Sequence, residues 1–177
     1  GAQVTAVDLS EENLARIKAE EPGIETVFGD ACAIPELGKF DMIVALEVLE
    51  HLVEPERALQ SIHKLLSADG TLLVTVPYKE VIRYTLCIHC NRITPMNAHL
   101  HSFDRESLGA LLVRSGFRVK TTNRFSHRAM DLFKLTAFSQ KLPLGIWKAL
   151  DRLSGILGGR YHYLAIRARV DKIDSKD

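Results

Sequence analysis

Cysteine is scarce in this chain: three in 177 residues, Cys32, Cys87 and Cys90, with no signal peptide ahead of them. A small, odd number argues against a secreted scaffold held by disulfides, and a reducing, cytoplasmic setting is the expectation. Long apolar runs are lacking too. None approaches the ~18 residues of a membrane span, so a bilayer-crossing helix is not expected. Neither charge is in excess: 23 Lys and Arg against 22 Asp and Glu leave a net +1. Without a basic footprint, nucleic acid is not an expected partner. Internal repeats and low-complexity tracts are absent. So is an initiating methionine; the chain opens Gly1-Ala2-Gln3, which reads as a truncated or processed start.

What is present is the composition of one ordinary globular domain over 1–177, 46% hydrophobic and 25% charged. Such a length can bury a substantial core without metal or disulfide support. A short apolar strand over 4–8 ends in Asp8. Ser10 is placed to cap the helix behind it, with Glu11 and Glu12 at its positive end. Residues 24–28 read as a second strand, ending in Gly29-Asp30, and 40–45 as a third. Pro55 opens the next helix, with apolar positions at Ala58, Leu59, Ile62, Leu65 and Leu66, and Gly70 is expected just past its end. The strongest strand signal, 71–76, is stopped by Pro77.

Strands alternating with helices predict an α/β fold around a mostly parallel, doubly wound sheet. Residues 78–103 then form an irregular insert rich in Cys, His, Asn and Pro. After it come a helix capped by Asp104 and closed by Gly116, and a strand over 117–125. An amphipathic helical cap over 128–157, broken near Pro143, follows. Residues 163–170 alternate apolar with polar or small side chains, the pattern of a final antiparallel strand with one solvated face.

The densest chemistry sits in Glu47-Val48-Leu49-Glu50-His51. Helical spacings of three and four would crowd Glu47, Glu50 and His51 onto one face. That face lies at the carboxyl end of the 40–45 strand, where parallel α/β sheets bind ligands. His51 is the preferred general base, since an unperturbed imidazole titrates near neutrality, and Glu50 stands beside it as its catalytic partner.

Taken in order, Val4-Thr5-Ala6-Val7-Asp8-Leu9-Ser10, Gly29-Asp30-Ala31, the Glu47–His51 segment and the strand ending in Val76-Pro77 resemble a class I S-adenosylmethionine-dependent methyltransferase. The similar group is the one containing ubiquinone-type O-methyltransferases, and the resemblance spans nearly the whole chain. It implies a Rossmann-like sheet, S-adenosyl-L-methionine as cofactor, and methyl transfer, with O-methylation first. It places Asp8 on the ribose hydroxyls and Leu9 against the adenine. The Asp30 side chain falls on the adenine amino group and the Ala31 amide on a ring nitrogen, with Leu46 and Glu47 near the methionine arm. The family's first strand and glycine-rich loop are not in this sequence. Gly1 resembles the glycine that closes the helix after that loop. The missing unit would add about 30 or more residues, its strand falling between those that end at Asp8 and Ala45. A fragment without it is expected to bind cofactor poorly.

Two metal readings compete. Cys87-Ile88-His89-Cys90 with His99-Leu100-His101 has the ligand types and rough spacing of a zinc site built from Cys87, Cys90, His99 and His101. Alternatively, Glu47, Glu50, His51 and a distant His101 resemble the set with which small-RNA 2′-O-methyltransferases hold a divalent ion against substrate hydroxyls. The methyl acceptor is expected to be a small or lipid-like molecule. Met130, Phe133, Phe138, Ile146, Trp147, Leu150 and Leu153 give the 128–157 cap an apolar stripe suited to such a substrate or to peripheral membrane contact. Ordinary core or a dimer contact accounts for the same stripe, and the oligomeric state is not legible. Two rival functions stand beside the enzyme: a non-catalytic scaffold of the same fold, and a nucleotide-dependent dehydrogenase using Asp8 on a ribose. The Glu47–His51 segment and the final antiparallel strand argue against the dehydrogenase.

Overall fold

The computed structural model describes residues 1–127, 143–156 and 161–171. The chain begins with β1 (Thr5–Asp8), α1 (Glu11–Glu20) and β2 (Glu25–Phe28), and β1 pairs in parallel with β2 from Thr5↔Glu25 to Asp8↔Phe28. The start of α1 follows from its residues: the Ser10 hydroxyl accepts the Asn13 N–H at 3.2 Å, and Glu11 and Glu12 occupy the first turn. Next come β3 (Phe40–Leu46), α2 (Pro55–Leu65) and β4 (Leu66–Pro77). A small hairpin of β5 (Tyr84–Leu86) and β6 (Ile93–Pro95) stands apart from the main sheet. It is followed by α3 (Arg105–Arg114), β7 (Phe117–His127), α4 (Leu144–Ile156) and β8 (Tyr161–Val170).

The main sheet has the order β3-β4-β8-β7. β3 and β4 run parallel, and β8 runs antiparallel to both β4 and β7, so only the last strand is reversed, as the sequence predicts. Along β8, Leu164, Ile166 and Ala168 are buried while Arg167 and Arg169 are exposed, the period-two signature of a strand with one face on the core. Those side chains pack with Leu72, Val74 and Val76 of β4, Leu59 and Ile62 of α2, and Leu108 and Leu112 of α3. Full burial of each large aliphatic side chain contributes about 1.5–3 kcal/mol. The core therefore lies beside the carboxyl half of β4 and fixes the strand tips around it.

Three expectations need correction. Gly70 does not close α2; the helix ends at Leu65 and the chain turns extended at Leu66. Gly70 lies inside β4, where the register jumps from Phe40↔Leu66 to Met42↔Thr71. A Cβ there would meet Leu66 Cδ2 and the Ser67 carbonyl oxygen at 2.9 Å, so glycine answers a close approach and not a helix end. The insert over 78–103 is less irregular than expected, since it carries the β5–β6 hairpin and is clasped by a Tyr78↔Phe103 bridge. The Glu47–His51 segment is no α-helix: a 3-10 turn covers only Leu49–His51. In the cap, α4 begins after Pro143, whose carbonyl accepts the Trp147 N–H at 3.1 Å. Met130, Phe133 and Phe138 lie outside the described residues. Among the described residues no helix is long and apolar enough to cross a membrane.

Among the described residues β1 has a strand partner only in β2, and β3 only in β4. Between their open edges lies a cavity of about 650 Å³, lined by Thr5 and Val7 on one side and Met42 and Val44 on the other. Met42, Val44 and Leu46 are about half exposed on β3.

Candidate active site

The tips of β1 and β2 close one end of that cavity. Asp8 and Asp30 each end a strand or the turn behind it, and each carboxylate holds its own turn. Asp8 Oδ1 accepts the Ser10 N–H at 2.7 Å, and Asp30 Oδ1 accepts the Cys32 N–H at 2.8 Å. Among the described residues the second oxygen of Asp8 has no hydrogen-bond partner, while the Cys32 thiol bonds to the Asp30 carboxylate. Both residues line the one cavity, together with Leu9, Gly29 and Ala31. Leu9 is 61% exposed, an apolar side chain left at the lip. Gly29 is held close: a Cβ there would lie 3.1 Å from Pro35 Cδ and 3.2 Å from Val7 Cγ1. An Asp8 oxygen to spare, an apolar lip and a turn amide can offer an acceptor, an apolar contact and a donor to a molecule in the cavity. Leu46 and Glu47 do not line this cavity; they stand at the tip of β3.

At that tip the chain is strained and polar. Glu47 has φ 53, in the left-handed region that a side chain adopts at a cost of about 1–3 kcal/mol. Two bonds to Thr75 hold it there: the Glu47 N–H donates to the Thr75 carbonyl at 3.0 Å, and the Thr75 hydroxyl donates to Glu47 Oε1 at 2.8 Å. Burial pushes the Glu47 carboxyl above the usual range, the Thr75 bond partly opposing it. Glu50 is fully buried, and neither of its carboxylate oxygens has a hydrogen-bond partner among the described residues. Burial first, then the nearby Glu47 charge, pushes its pKa up to about 7.

Two imidazoles face these acids. His51, 39% exposed, sets Nδ1 at 3.3 Å from the Ala98 carbonyl oxygen, and its Nε2 lies 4.0 Å from Glu50 Oε1. A carbonyl oxygen only accepts, so Nδ1 carries the proton and neutral His51 keeps a lone pair on Nε2. His99 pairs through Nδ1 with the Glu80 carboxylate and stacks edge-on to His51, ring centroids 4.7 Å apart. Ligand-capable atoms of Glu50, His51 and His99 all lie within 4.8 Å of one another. Among the described residues no other three His, Cys, Asp or Glu side chains do so.

The four candidate zinc ligands do not converge. Cys87 and Cys90 are free thiols in the turn of the β5–β6 hairpin, His99 joins Glu50 and His51, and His101 donates from Nε2 to the Leu52 carbonyl at 2.9 Å. His99, not His101, is thus the distant histidine beside the Glu47–His51 segment. Its placement follows from the N–H groups of Leu100 and His101, which both donate to the Glu50 carbonyl. Thr75 and Glu80 were not anticipated. Thr75 reads as an ordinary strand residue, and nothing local in the sequence marks Glu80.

Known proteins resemble this chain in sequence and in fold. A family model described as a methyltransferase domain matches residues 1–122. The ubiquinone biosynthesis O-methyltransferase of Azotobacter vinelandii is 30% identical over 131 residues, 67% of this chain and 56% of that protein. A probable S-adenosylmethionine-dependent methyltransferase of Mycobacterium tuberculosis is 27% identical over 117 residues, 65% of this chain and 40% of its own length. The chain thus spans about half the length of the curated relatives it matches. Among solved structures, an S-adenosylmethionine-dependent methyltransferase from Mesorhizobium loti superposes with a TM-score of 0.63 at 18% identity, covering 96% of this chain and 81% of that one. That likeness shows a shared Rossmann-like fold.

Proposed function

Because the chain belongs to the methyltransferase domain family, we propose that it is part of an S-adenosylmethionine-dependent O-methyltransferase acting on a small or lipid-like hydroxyl compound. The observation that carries the reading is the shared cavity rim of Asp8, Leu9, Asp30 and Ala31, beside a proton-handling cluster at the tip of β3. When bound, the cofactor supplies an electrophilic methyl group on a sulfonium. The residues of the chain do the rest. Asp8 accepts from ribose hydroxyls through the oxygen its turn leaves over, Leu9 covers one face of the adenine, and Asp30 with the Ala31 amide reads its edge. His51 Nε2 takes the proton from the acceptor hydroxyl, and Glu50 at 4.0 Å favours the imidazolium that results. Ubiquinone biosynthesis O-methyltransferases among the relatives support an oxygen nucleophile and an apolar acceptor. The exposed Ile146, Leu150 and Leu153 of α4 support a surface for such a substrate or for peripheral membrane contact. A cytoplasmic setting fits three free cysteines.

A second reading is metal-assisted methylation of a hydroxyl. The buried, unpartnered Glu50 carboxylate beside His51 and His99 supports it, and the Glu80–His99 pair would orient the ring as carboxylates do behind metal-bound histidines. An ion held there would lower the acceptor's pKa. Labelled-methyl transfer to phenolic and lipid-linked hydroxyl acceptors, with and without chelator, tests both readings. Product on oxygen supports the enzyme; cofactor binding without transfer to any acceptor supports the scaffold.

A further inference from the structure

The strand ends beside the proton-handling cluster carry a cation that methyl transfer as described leaves unused. Arg124 lies near the carboxyl end of β7, paired with Leu164 of β8, and Tyr161 opens β8. Tyr78 follows directly on β4, its N–H donating to the His162 carbonyl at 2.7 Å. Three strands therefore bring Tyr78, Arg124 and Tyr161 to one end of the sheet. At that same end Thr75 of β4 holds Glu47. It is the carboxyl end of the parallel pair β3 and β4, where open α/β sheets bind ligands.

The guanidinium rests on aromatic rings. Its Cζ lies 4.9 Å from the Tyr161 ring centroid and 5.6 Å from that of Tyr78. Among the described residues no other arginine sits over an aromatic ring, and no oxygen accepts from the Arg124 N–H groups. A cation is attracted through the ring face, which leaves the in-plane fork of N–H donors open to solvent. Two ring contacts also restrict the long side chain, so less freedom is lost when the fork takes a ligand. A second cation, Lys79, lies 5.8 Å from the Tyr78 centroid, and it pairs with Asp104 at 3.6 Å. Lys79 and Asp104 offset each other, which leaves the single charge of Arg124. One charge matches a monoanion better than a doubly charged phosphate. Glu80, two residues past Tyr78, binds His99, which in turn stacks on His51. One short segment thus joins the open cation to the proton acceptor.

We propose that Arg124, braced by Tyr78 and Tyr161, binds a carboxylate of the methyl acceptor and so selects hydroxy acids as substrates. Hydroxyl methylation at His51 is the premise, and the charge of the acceptor is what Arg124 adds to it. A planar carboxylate meets the guanidinium fork through two parallel N–H···O bonds. That contact fixes one end of the acceptor and leaves its hydroxyl to reach Nε2 of His51. An ester or amide of the same acid cannot accept in this way and keeps only its apolar contacts. The carboxylate stays intact throughout; only the hydroxyl exchanges its proton for a methyl group.

The test sets phenolic acids against their own methyl esters on the 177-residue chain: 3-hydroxyphenylacetate, 4-hydroxycinnamate and 3,4-dihydroxybenzoate. Saturation-transfer NMR with S-adenosylhomocysteine present reads binding, and label passed from S-adenosylmethionine to oxygen reads transfer. The acids are expected to bind about tenfold or more tightly than their esters, with a preference that fades as salt is raised. Arg124→Gln brings each acid down to its ester while circular dichroism is unchanged, Arg124→Lys restores part of the preference, and Tyr161→Leu falls between. Arg118→Gln, at the far end of β7, keeps the preference. Equal binding of acids and esters, no binding of any acid, or a preference that survives Arg124→Gln would overturn the proposal. Acid binding that depends on Arg124 without transfer of label keeps the carboxylate site and counts against methyl transfer. Transfer to acids and esters alike does the reverse.

Discussion

Thr75 and Glu47 are tied together twice, once through the backbone at 3.0 Å and once through the Thr75 hydroxyl at 2.8 Å. The pairing locks a left-handed residue onto the tip of the neighbouring strand. It decides where the polar segment after β3 begins.

Thr75→Val keeps the shape of the side chain and removes the hydroxyl. A hydrogen bond to a carboxylate contributes about 1.5–3 kcal/mol where the carboxylate is charged, and about 1 kcal/mol otherwise. We expect a loss of about 1–2 kcal/mol in urea unfolding and a fall of about tenfold in turnover as Glu47 loses its orientation. Glu47→Gly separates strain from function. Relief of the left-handed strain leaves stability within about 1 kcal/mol of the native chain, while turnover still falls.

Glu50 makes stability fall as pH rises. Its folded pKa of about 7 lies above the ordinary 4.5, so the folded state holds the extra proton between those values. Stability is full below pH 4.5 and declines through pH 7, by about 3 kcal/mol at 1.36 kcal/mol per unit. Urea unfolding of the chain in chelator, from pH 4.5 to 8, reads this slope. Glu50→Gln flattens it and is the more stable protein at pH 8.

His51→Ala removes the proton acceptor without touching the adenosine cavity, which His51 does not line. Turnover is expected to drop by about 10²–10⁴, the usual contribution of a positioned base. Affinity for S-adenosylhomocysteine stays within about twofold, measured by calorimetry. An equal loss in both quantities would make His51 a structural residue instead.

Chelation separates the two chemical readings. With His51 as an unaided base, treatment with chelator leaves turnover within about twofold. With an ion on Glu50, His51 and His99, turnover falls by more than tenfold and returns on adding a divalent cation, and His99→Ala behaves like the chelated enzyme.

Much of the fold is legible where a residue's local chemistry acts alone. Ser10 caps α1, Asp104 builds a reciprocal cap with Ser107 on α3, Pro55 opens α2, and the alternation over 163–170 marks β8. The positions of Asp8 at a strand end and of the Gly29-Asp30-Ala31 turn on one cavity are legible in the same way, while their cofactor roles rest on the family resemblance. Legibility ends where tertiary contacts choose among backbone options. Nothing near Leu66 announces that it leaves α2 for a strand; the parallel pairing with β3 decides that. Asn97 at φ 58 and Ala98 at φ 55 turn the chain so that His99 faces His51. Alanine rarely adopts that conformation, so no sequence pattern could have chosen His99 over His101. Helical spacing predicts that Glu47, Glu50 and His51 lie near one another, and they do so for a different reason, through a strained residue and a 3-10 turn.

The central claim is that Asp8 and Asp30 share one adenosine site, and calorimetric titration with S-adenosylhomocysteine tests it most directly. The native chain should bind one equivalent, weakly. Asp8→Asn, which keeps an oxygen for the Ser10 N–H, should bind at least tenfold more weakly, matching the ~1.5–3 kcal/mol of a charge-assisted bond. Asp30→Asn should weaken binding several-fold. Unchanged affinity in both variants, or no heat from the native chain at saturating ligand, would contradict the account.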